Sequence, residues 1–218
     1  MKYTVNTVIF DFDGVLVDTG PDIANAANDT LLYLRQKPLP QSTLIAYIGG
    51  GAEMLLRRAL KAQADDLLSQ ALPYFLHRYE EFCCVETHLY PHVREVLDYY
   101  QVLGKHMVIA TQKNEAITRT ILHTLEIESY FDWLIGPESV THRKPHPESV
   151  LLALEKPGAD PRQAVMIGDT ASDIQAGKAA GTTTCGVFYG YGAADDVLQA
   201  QPDFILDQHL GQIIEWID

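Results

Sequence analysis

Apolar positions along this chain follow two rhythms. Val5, Val8, Ile9 and Phe10 make a short run, rich in β-branched residues, that stops at Asp11. The pattern predicts a strand buried on both faces. The same kind of run recurs at Met107 to Ala110, ending at Thr111, and at Ala164 to Ile167, ending at Gly168 and Asp169. Weaker strand signals lie at Trp133 to Ile135 and at Thr183 to Val187. Between them runs a three/four period. Val93, Val96, Leu97, Tyr100 and Leu103 predict a helix opened by Pro91 and closed by Gly104, and Ile117, Ile121, Leu122 and Leu125 predict another. Strands alternating with helices predict an α/β fold, a parallel sheet wound with helices on both faces. The tail predicts an edge strand at Pro202 to Ile205 and a closing helix at Leu210 to Ile217.

The segment from Thr19 to Thr87 departs from that rhythm. Ile23 to Leu34, Leu44 to Ile48, Ala52 to Leu60 and Leu67 to Phe82 all read as helix, with no strand among them. An all-helical block between the first strand and the rest of a parallel sheet is most simply an inserted domain, which an exposed loop tolerates. The expected division is a core of residues 1–18 and 88–218 and a helical insertion of residues 19–87.

Composition narrows the function classes. The chain has 218 residues, 47% of them apolar and 21% charged, enough for a substantial core. Its 16 Lys and Arg against 29 Asp and Glu give a net charge of −13, which argues against nucleic acid and anionic membrane as partners. Small phosphorylated metabolites stay open, because a few placed cations or a carboxylate-bound metal can hold them. Three cysteines (Cys83, Cys84 and Cys185) make no disulfide framework and suit a reducing compartment. The first apolar run is too short for a signal peptide or a membrane span, so a soluble cytoplasmic protein is expected.

In open parallel sheets, ligands sit beyond the carboxyl ends of the strands. The polar residues that directly follow or lie near the apolar runs are Asp11 and Asp13, Thr111, Lys144, and the segment Asp169 to Asp173. Singly, each is an ordinary turn or cap residue. Together they suggest phosphoryl chemistry. Three carboxylates on one rim need a cation between them, and oxygen ligands in small number suit Mg²⁺. Asp11 can attack phosphorus, Asp13 can protonate the leaving oxygen and later activate water, and Thr111 and Lys144 can hold the phosphoryl oxygens.

Asp11-Phe12-Asp13-Gly14-Val15-Leu16-Val17-Asp18-Thr19 resembles the first motif of the haloacid-dehalogenase-like superfamily. Thr111 resembles its second motif, Lys144-Pro145-His146-Pro147 its third and Gly168-Asp169-Thr170-Ala171-Ser172-Asp173 its fourth, in the family order across nearly the whole chain. The resemblance implies a Rossmann-like core with a helical cap, Asp11 as nucleophile and Asp13 as general acid/base. It also implies Mg²⁺ held by Asp11, the Asp13 backbone carbonyl and Asp169, with Asp173 supporting from behind. Within the superfamily the chain is most similar to the phosphoglycolate phosphatases. Ile48-Gly49-Gly50-Gly51-Ala52-Glu53 resembles the glycine turn of their cap, which makes Gly50 and Gly51 candidate substrate contacts. Arg57 and Arg58 are weaker candidates for a substrate carboxylate. Gln112 departs from the Asn usual in that subgroup, which puts a contact from that side chain in doubt and leaves the Thr111 hydroxyl role intact.

The same residues bear on other chemistries. Asp13 speaks against carbon–halogen cleavage, and Ala52 and Glu53 stand where a phosphonatase lysine is expected. A sugar-phosphate mutase shares the core chemistry and stays open. A phospho-aspartate signalling switch would need neither Asp13 nor an inserted domain. An EF-hand fails because Gly14 comes too early and Val15 to Val17 supply no oxygens. His142 and His146 flank Lys144, and Pro145 and Pro147 oppose helical pairing there, so surface or loop histidines are expected and not a zinc site.

Overall fold

The computed structural model describes residues 3–218 and divides into two compact units. One comprises the chain up to Asp18 together with Leu89–Asp218, and the other Thr19–His88.

The first unit begins with β1 (Thr7–Phe10), all four residues buried. Two-residue strands β2 (Val17–Asp18) and β3 (His88–Leu89) form a small separate sheet. Then follow α5 (Val93–Val102), β4 (His106–Ala110), α6 (Glu115–Thr124) and β5 (Trp133–Ile135). The chain ends with α7 (Glu148–Glu155), β6 (Ala164–Gly168), α8 (Ala171–Ala180), β7 (Thr183–Val187), α9 (Ala194–Gln199) and β8 (Phe204–Leu206). The main sheet has the order β5-β4-β1-β6-β7-β8, and every pairing in it is parallel. This is the α/β architecture expected from the alternation of runs. It is also why β1, β4 and β6 carry no polar alternation: a strand with helices on both faces has no solvent side.

Burial organises the core around β1. On one face Ile9, Val108, Ala110 and Met166 pack with Val150, Ala153 and Leu154 of α7 and Ala176 and Ala180 of α8. On the other, the Phe10 ring meets Phe131 edge-on at 6.1 Å. The connection leaving β1 leads to β4 on one side, whereas β6 leads on to β7 on the other. The crevice between β1 and β6 is therefore the point where strand order reverses, the usual ligand position in such sheets.

The second unit is all helical: α1 (Gly20–Tyr33), α2 (Gln41–Ile45), α3 (Gly51–Leu60) and α4 (Ala64–Phe82). Asp22, in the first turn of α1, is buried and fully employed. Its carboxylate accepts the amides of Val85, Glu86 and Thr87 at 2.9–3.1 Å and the Thr87 hydroxyl at 2.8 Å. That clamp ties the start of the unit to its end.

Two expectations need correction. The segment expected as a helix over Leu210 to Ile217 is a 3₁₀ helix over Leu210–Glu215. The helix expected at Leu44 to Ile48 ends at Ile45, where the chain passes into turns leading to the glycines. Among the described residues no helix is long and apolar enough to cross a membrane.

Candidate active site

Asp11, Thr111 and Asp169 directly follow the carboxyl ends of β1, β4 and β6. Parallel register brings these ends together, since Phe10 pairs with both Ile109 and Ile167. The Asp11 backbone is pinned by its amide donating to the Ile167 carbonyl at 2.8 Å. On its side chain, Oδ1 accepts the Phe12 amide at 2.8 Å and faces Lys144 Nζ at 3.2 Å. Both contacts fall on one oxygen, so Oδ2 is the one turned to other work.

Lys144 is the cation of the site interior, with its side chain only 1% exposed. It donates to the Ala110 carbonyl at 2.8 Å and pairs with Asp173 Oδ1 at 2.6 Å as well as with Asp11. Burial alone would lower its basicity, but Asp11 and Asp173 outweigh burial and hold it above the ordinary lysine value. Asp173 is fixed in turn by the amide and hydroxyl of Thr170, at 3.0 and 2.6 Å, in a capping box that opens α8. Lys144 sits on the loop from Thr141 to Pro147, and its peptide bond to Pro145 is cis. Glu148 ties the far end of that loop, accepting the amides of Thr141 and His142 at 2.8 Å each. The Thr141 amide, then the His142 ring and amide, hold the Glu148 carboxyl down to about 2.

Asp13 faces a second lysine. Lys113 Nζ lies 3.1 and 3.3 Å from the two Asp13 oxygens, and both side chains are largely buried. Thr111 Oγ1 accepts the Lys113 amide at 3.1 Å, which leaves the hydroxyl proton to donate elsewhere. Gln112 lies between the two and is half-buried.

Asp169 is held by a loop that the sequence reading missed. Its Oδ2 accepts the amides of Tyr191 at 2.7 Å and Gly192 at 3.2 Å, while the Tyr191 hydroxyl donates to Asp18 at 2.7 Å. The glycines of this loop are required by space. A β-carbon at Gly190 would lie 2.4 Å from Asp169 Cβ, and one at Gly192 only 1.9 Å from the Asp169 carbonyl oxygen. The available signal was a Gly-x-Gly pair just beyond the run ending at Val187, on the same edge as the other motifs. Lys113 was equally available, two residues past Thr111. The candidate cap contacts Gly50 and Gly51 belong to the second unit, where they open α3. Arg57 there is engaged by Glu53 and Asp65 at 3.0 Å each, and Arg58 Nη1 meets the Tyr47 carbonyl at 3.5 Å.

The electrostatics point to a cation. Burial pushes the Asp11 carboxyl up to about 7, with Lys144 opposing and Asp173 and Asp13 adding to the rise. Asp169 is raised well above the carboxylate range by burial, then by Asp173 and Asp11, against the Tyr191 and Gly192 amides. Ligand oxygens of Asp11, Asp169 and Asp173 all lie within 4.8 Å of one another. Counting Asp13, four carboxyl groups meet two ammonium groups, so with all four ionised two negative charges are left unbalanced. One divalent cation on oxygen ligands supplies that balance, and the residues present fit it.

Gly14 guards this arrangement. Its φ is +81°, and a β-carbon there would lie 2.2 Å from Asp169 Oδ2. Gly14→Ala is expected to lose about 1–2 kcal/mol from the left-handed backbone alone. It is also expected to weaken the binding of a divalent cation such as Mg²⁺ at these carboxylates, because Asp169 must move. Denaturant unfolding together with a Mg²⁺ titration checks both; an unchanged titration would show that Asp169 takes no part in holding the metal.

Comparison with known proteins matches residues 8–187 to the family model described as haloacid dehalogenase-like hydrolase. The chain belongs to that family. Within it, the chain is similar to curated proteins named phosphoglycolate phosphatase. It is 37% identical over 207 residues to a phosphoglycolate phosphatase of Nitrosospira multiformis, covering 93% of this chain and 91% of that protein. It is 36% identical to one of Colwellia psychrerythraea, covering 92% of each. Among solved structures, one described as a predicted phosphoglycolate phosphatase from Haemophilus somnus superposes with a TM-score of 0.87 at 30% identity, covering 94% of each chain. As a haloacid dehalogenase-like hydrolase, the chain thus sits with the phosphatases by sequence and by fold.

Proposed function

We propose that this chain is a Mg²⁺-dependent phosphomonoester hydrolase that works through an aspartyl phosphate on Asp11, with 2-phosphoglycolate as its substrate. The observation that carries this reading is the pair of carboxylates Asp11 and Asp13, two residues apart just beyond the end of β1 and each facing a lysine. A nucleophile alone would serve many reactions. A second acid two residues on, ready for the leaving oxygen, favours the phosphoryl ester. The substrate is inferred from the relatives named above.

In the first half-reaction Asp11 Oδ2 attacks phosphorus while the ester P–O bond breaks. The leaving alkoxide takes the proton of Asp13. In the second, water attacks the phosphorus of the acyl phosphate, Asp13 accepts its proton, and the bond to Asp11 breaks to release phosphate. Lys144 holds Asp11 Oδ1 so that only Oδ2 is presented, and the Thr111 hydroxyl donates to a phosphoryl oxygen. Lys113 orients Asp13 and turns toward the phosphoryl oxygens as substrate enters. Asp11, the Asp13 carbonyl and Asp169 would hold Mg²⁺, with Asp173 keeping Lys144 in place behind them. When bound, Mg²⁺ neutralises the crowded carboxylates and draws charge from the phosphoryl group. Gln112 completes the proposed substrate contacts of the first unit.

Phosphate release from 2-phosphoglycolate, hexose phosphates, pyrophosphate and p-nitrophenyl phosphate tests this. The expected result is the highest kcat/KM for 2-phosphoglycolate and a loss of about 100-fold or more on chelation, restored by Mg²⁺. Turnover that survives chelation would refute the metal role. Conversion of a phosphorylated sugar to its isomer without net phosphate release would assign the chain to the mutases instead.

A further inference from the structure

The loop that presents Lys144 inward carries a second constellation outward. The sequence predicts His142 and His146 as surface or loop histidines and not a zinc site, since Pro145 and Pro147 oppose helical pairing. The chain brings them together by turning instead. Their ring centroids lie 4.5 Å apart at an interplanar angle of 34°. Both Nδ1 atoms face the same carboxylate oxygen, Glu148 Oε2, at 2.9 Å for His142 and 3.8 Å for His146. One ligand atom from each of the three residues lies within 4.8 Å of the other two.

We propose that His142, His146 and Glu148 form a binding site for a divalent transition metal, of the Zn²⁺ or Ni²⁺ class, separate from the oxygen-ligand site at Asp11 and Asp169. Two imidazoles and one carboxylate are a borderline donor set. They suit Zn²⁺ and Ni²⁺, whereas Mg²⁺ selects oxygen ligands, so the two sites sort cations by donor chemistry. The spacing is right for one ion. With metal–ligand bonds of about 2.0–2.1 Å, tetrahedral ligands stand about 3.3 Å apart, and the two Nδ1–Oε2 separations straddle that value. Small ring rotations bring both to it.

The site is also held open and ready. Prolines on both sides of His146 restrict its backbone, and Glu148 is anchored at the start of α7 by the Thr141 and His142 amides. The His142 and His146 side chains are 62% and 50% exposed, so an ion can reach them and water can complete its coordination. The ion takes the place of the proton between His142 Nδ1 and Oε2. It also displaces the weak contact from the Glu148 amide to His146 Nδ1, which at 3.3 Å gives up little. Once bound, the ion crosslinks residues on both sides of Lys144.

The test uses the full chain, with Zn²⁺ as the probe under saturating Mg²⁺. Calorimetric titration is expected to find one Zn²⁺ per chain in the wild type and the same affinity in Asp169→Asn, in which the oxygen-ligand site is crippled. The double variant His142→Gln/His146→Gln keeps polar side chains on the surface. It is expected to lose affinity by more than about 100-fold, beyond the effect of removing an outer partner of a metal ligand. A Zn²⁺-dependent rise in unfolding temperature is expected to disappear in the same variant, because only a metal bound to the folded state stabilises it. Wild-type affinity in the double variant would overturn the proposal. So would loss of the bound Zn²⁺ in Asp169→Asn, which would assign it to the carboxylates.

Discussion

Asp11→Asn is expected to lower phosphatase turnover by about 10⁴-fold or more, the scale on which removal of a catalytic nucleophile acts. An amide keeps the shape of the carboxylate but cannot displace an alkoxide at phosphorus. The fold is expected to survive, because the contacts of Asp11 are local: the Phe12 amide and Lys144 on Oδ1, and a backbone bond to Ile167 that the substitution leaves alone. Removing one of several crowded carboxylates also relieves repulsion, as the rise of Asp11 to about 7 by burial and by Asp173 and Asp13 indicates. The metal-free variant should therefore unfold at or above the wild-type midpoint. Stopped turnover with an undiminished midpoint is the signature to look for, with p-nitrophenyl phosphate as substrate. An Asn variant that hydrolyses it at the wild-type rate would end the aspartyl-phosphate mechanism.

The main sheet was legible because burial leaves its mark on composition. β1, β4 and β6 are nearly wholly buried, and their apolar runs stop where the chain reaches the polar rim. The two-residue strands β2 and β3 are too short to carry a period. The 3₁₀ segment Leu210–Glu215 read as an α-helix because Leu210 and Ile213, three apart, suit either geometry. At the site, residues directly past a strand could be read from their own segment. What could not be read were meetings across the chain, such as Lys113 with Asp13, 100 residues apart, or the Tyr191 and Gly192 amides on Asp169. His142 and His146 show the same boundary at short range. Proline excluded one pairing geometry, and a turn supplied another that no period announces.

Lys144→Ala is expected to be the most destabilising change at the site, and the comparison with Lys113→Ala shows why. Both lysines answer carboxylates, but their surroundings differ. Lys144 and its partner Asp173 are each 1% exposed at the side chain, whereas Lys113 and Asp13 are 5% and 16% exposed. Removing the cation from the drier pair leaves the buried carboxyls of Asp173 and Asp11 without their counter-ion, and leaves the Ala110 carbonyl without its donor. Breaking a buried pair in this way costs about 3–5 kcal/mol. For a chain of this size that lowers the unfolding temperature by about 2–4 °C per kcal/mol. Asp13, by contrast, can turn toward solvent when Lys113 is lost, so the Lys113→Ala midpoint should fall by much less. Turnover is expected to drop in both, by about 10²–10³-fold in Lys144→Ala, where a group that positions the nucleophile is gone. Lys144→Met separates charge from volume: it fills the space of the lysine stem, so a midpoint as low as that of Lys144→Ala assigns the loss to the unanswered carboxylates. A Met variant that matches the wild type in both midpoint and turnover would mean that the charge of Lys144 is dispensable, and with it the electrostatic account of the site.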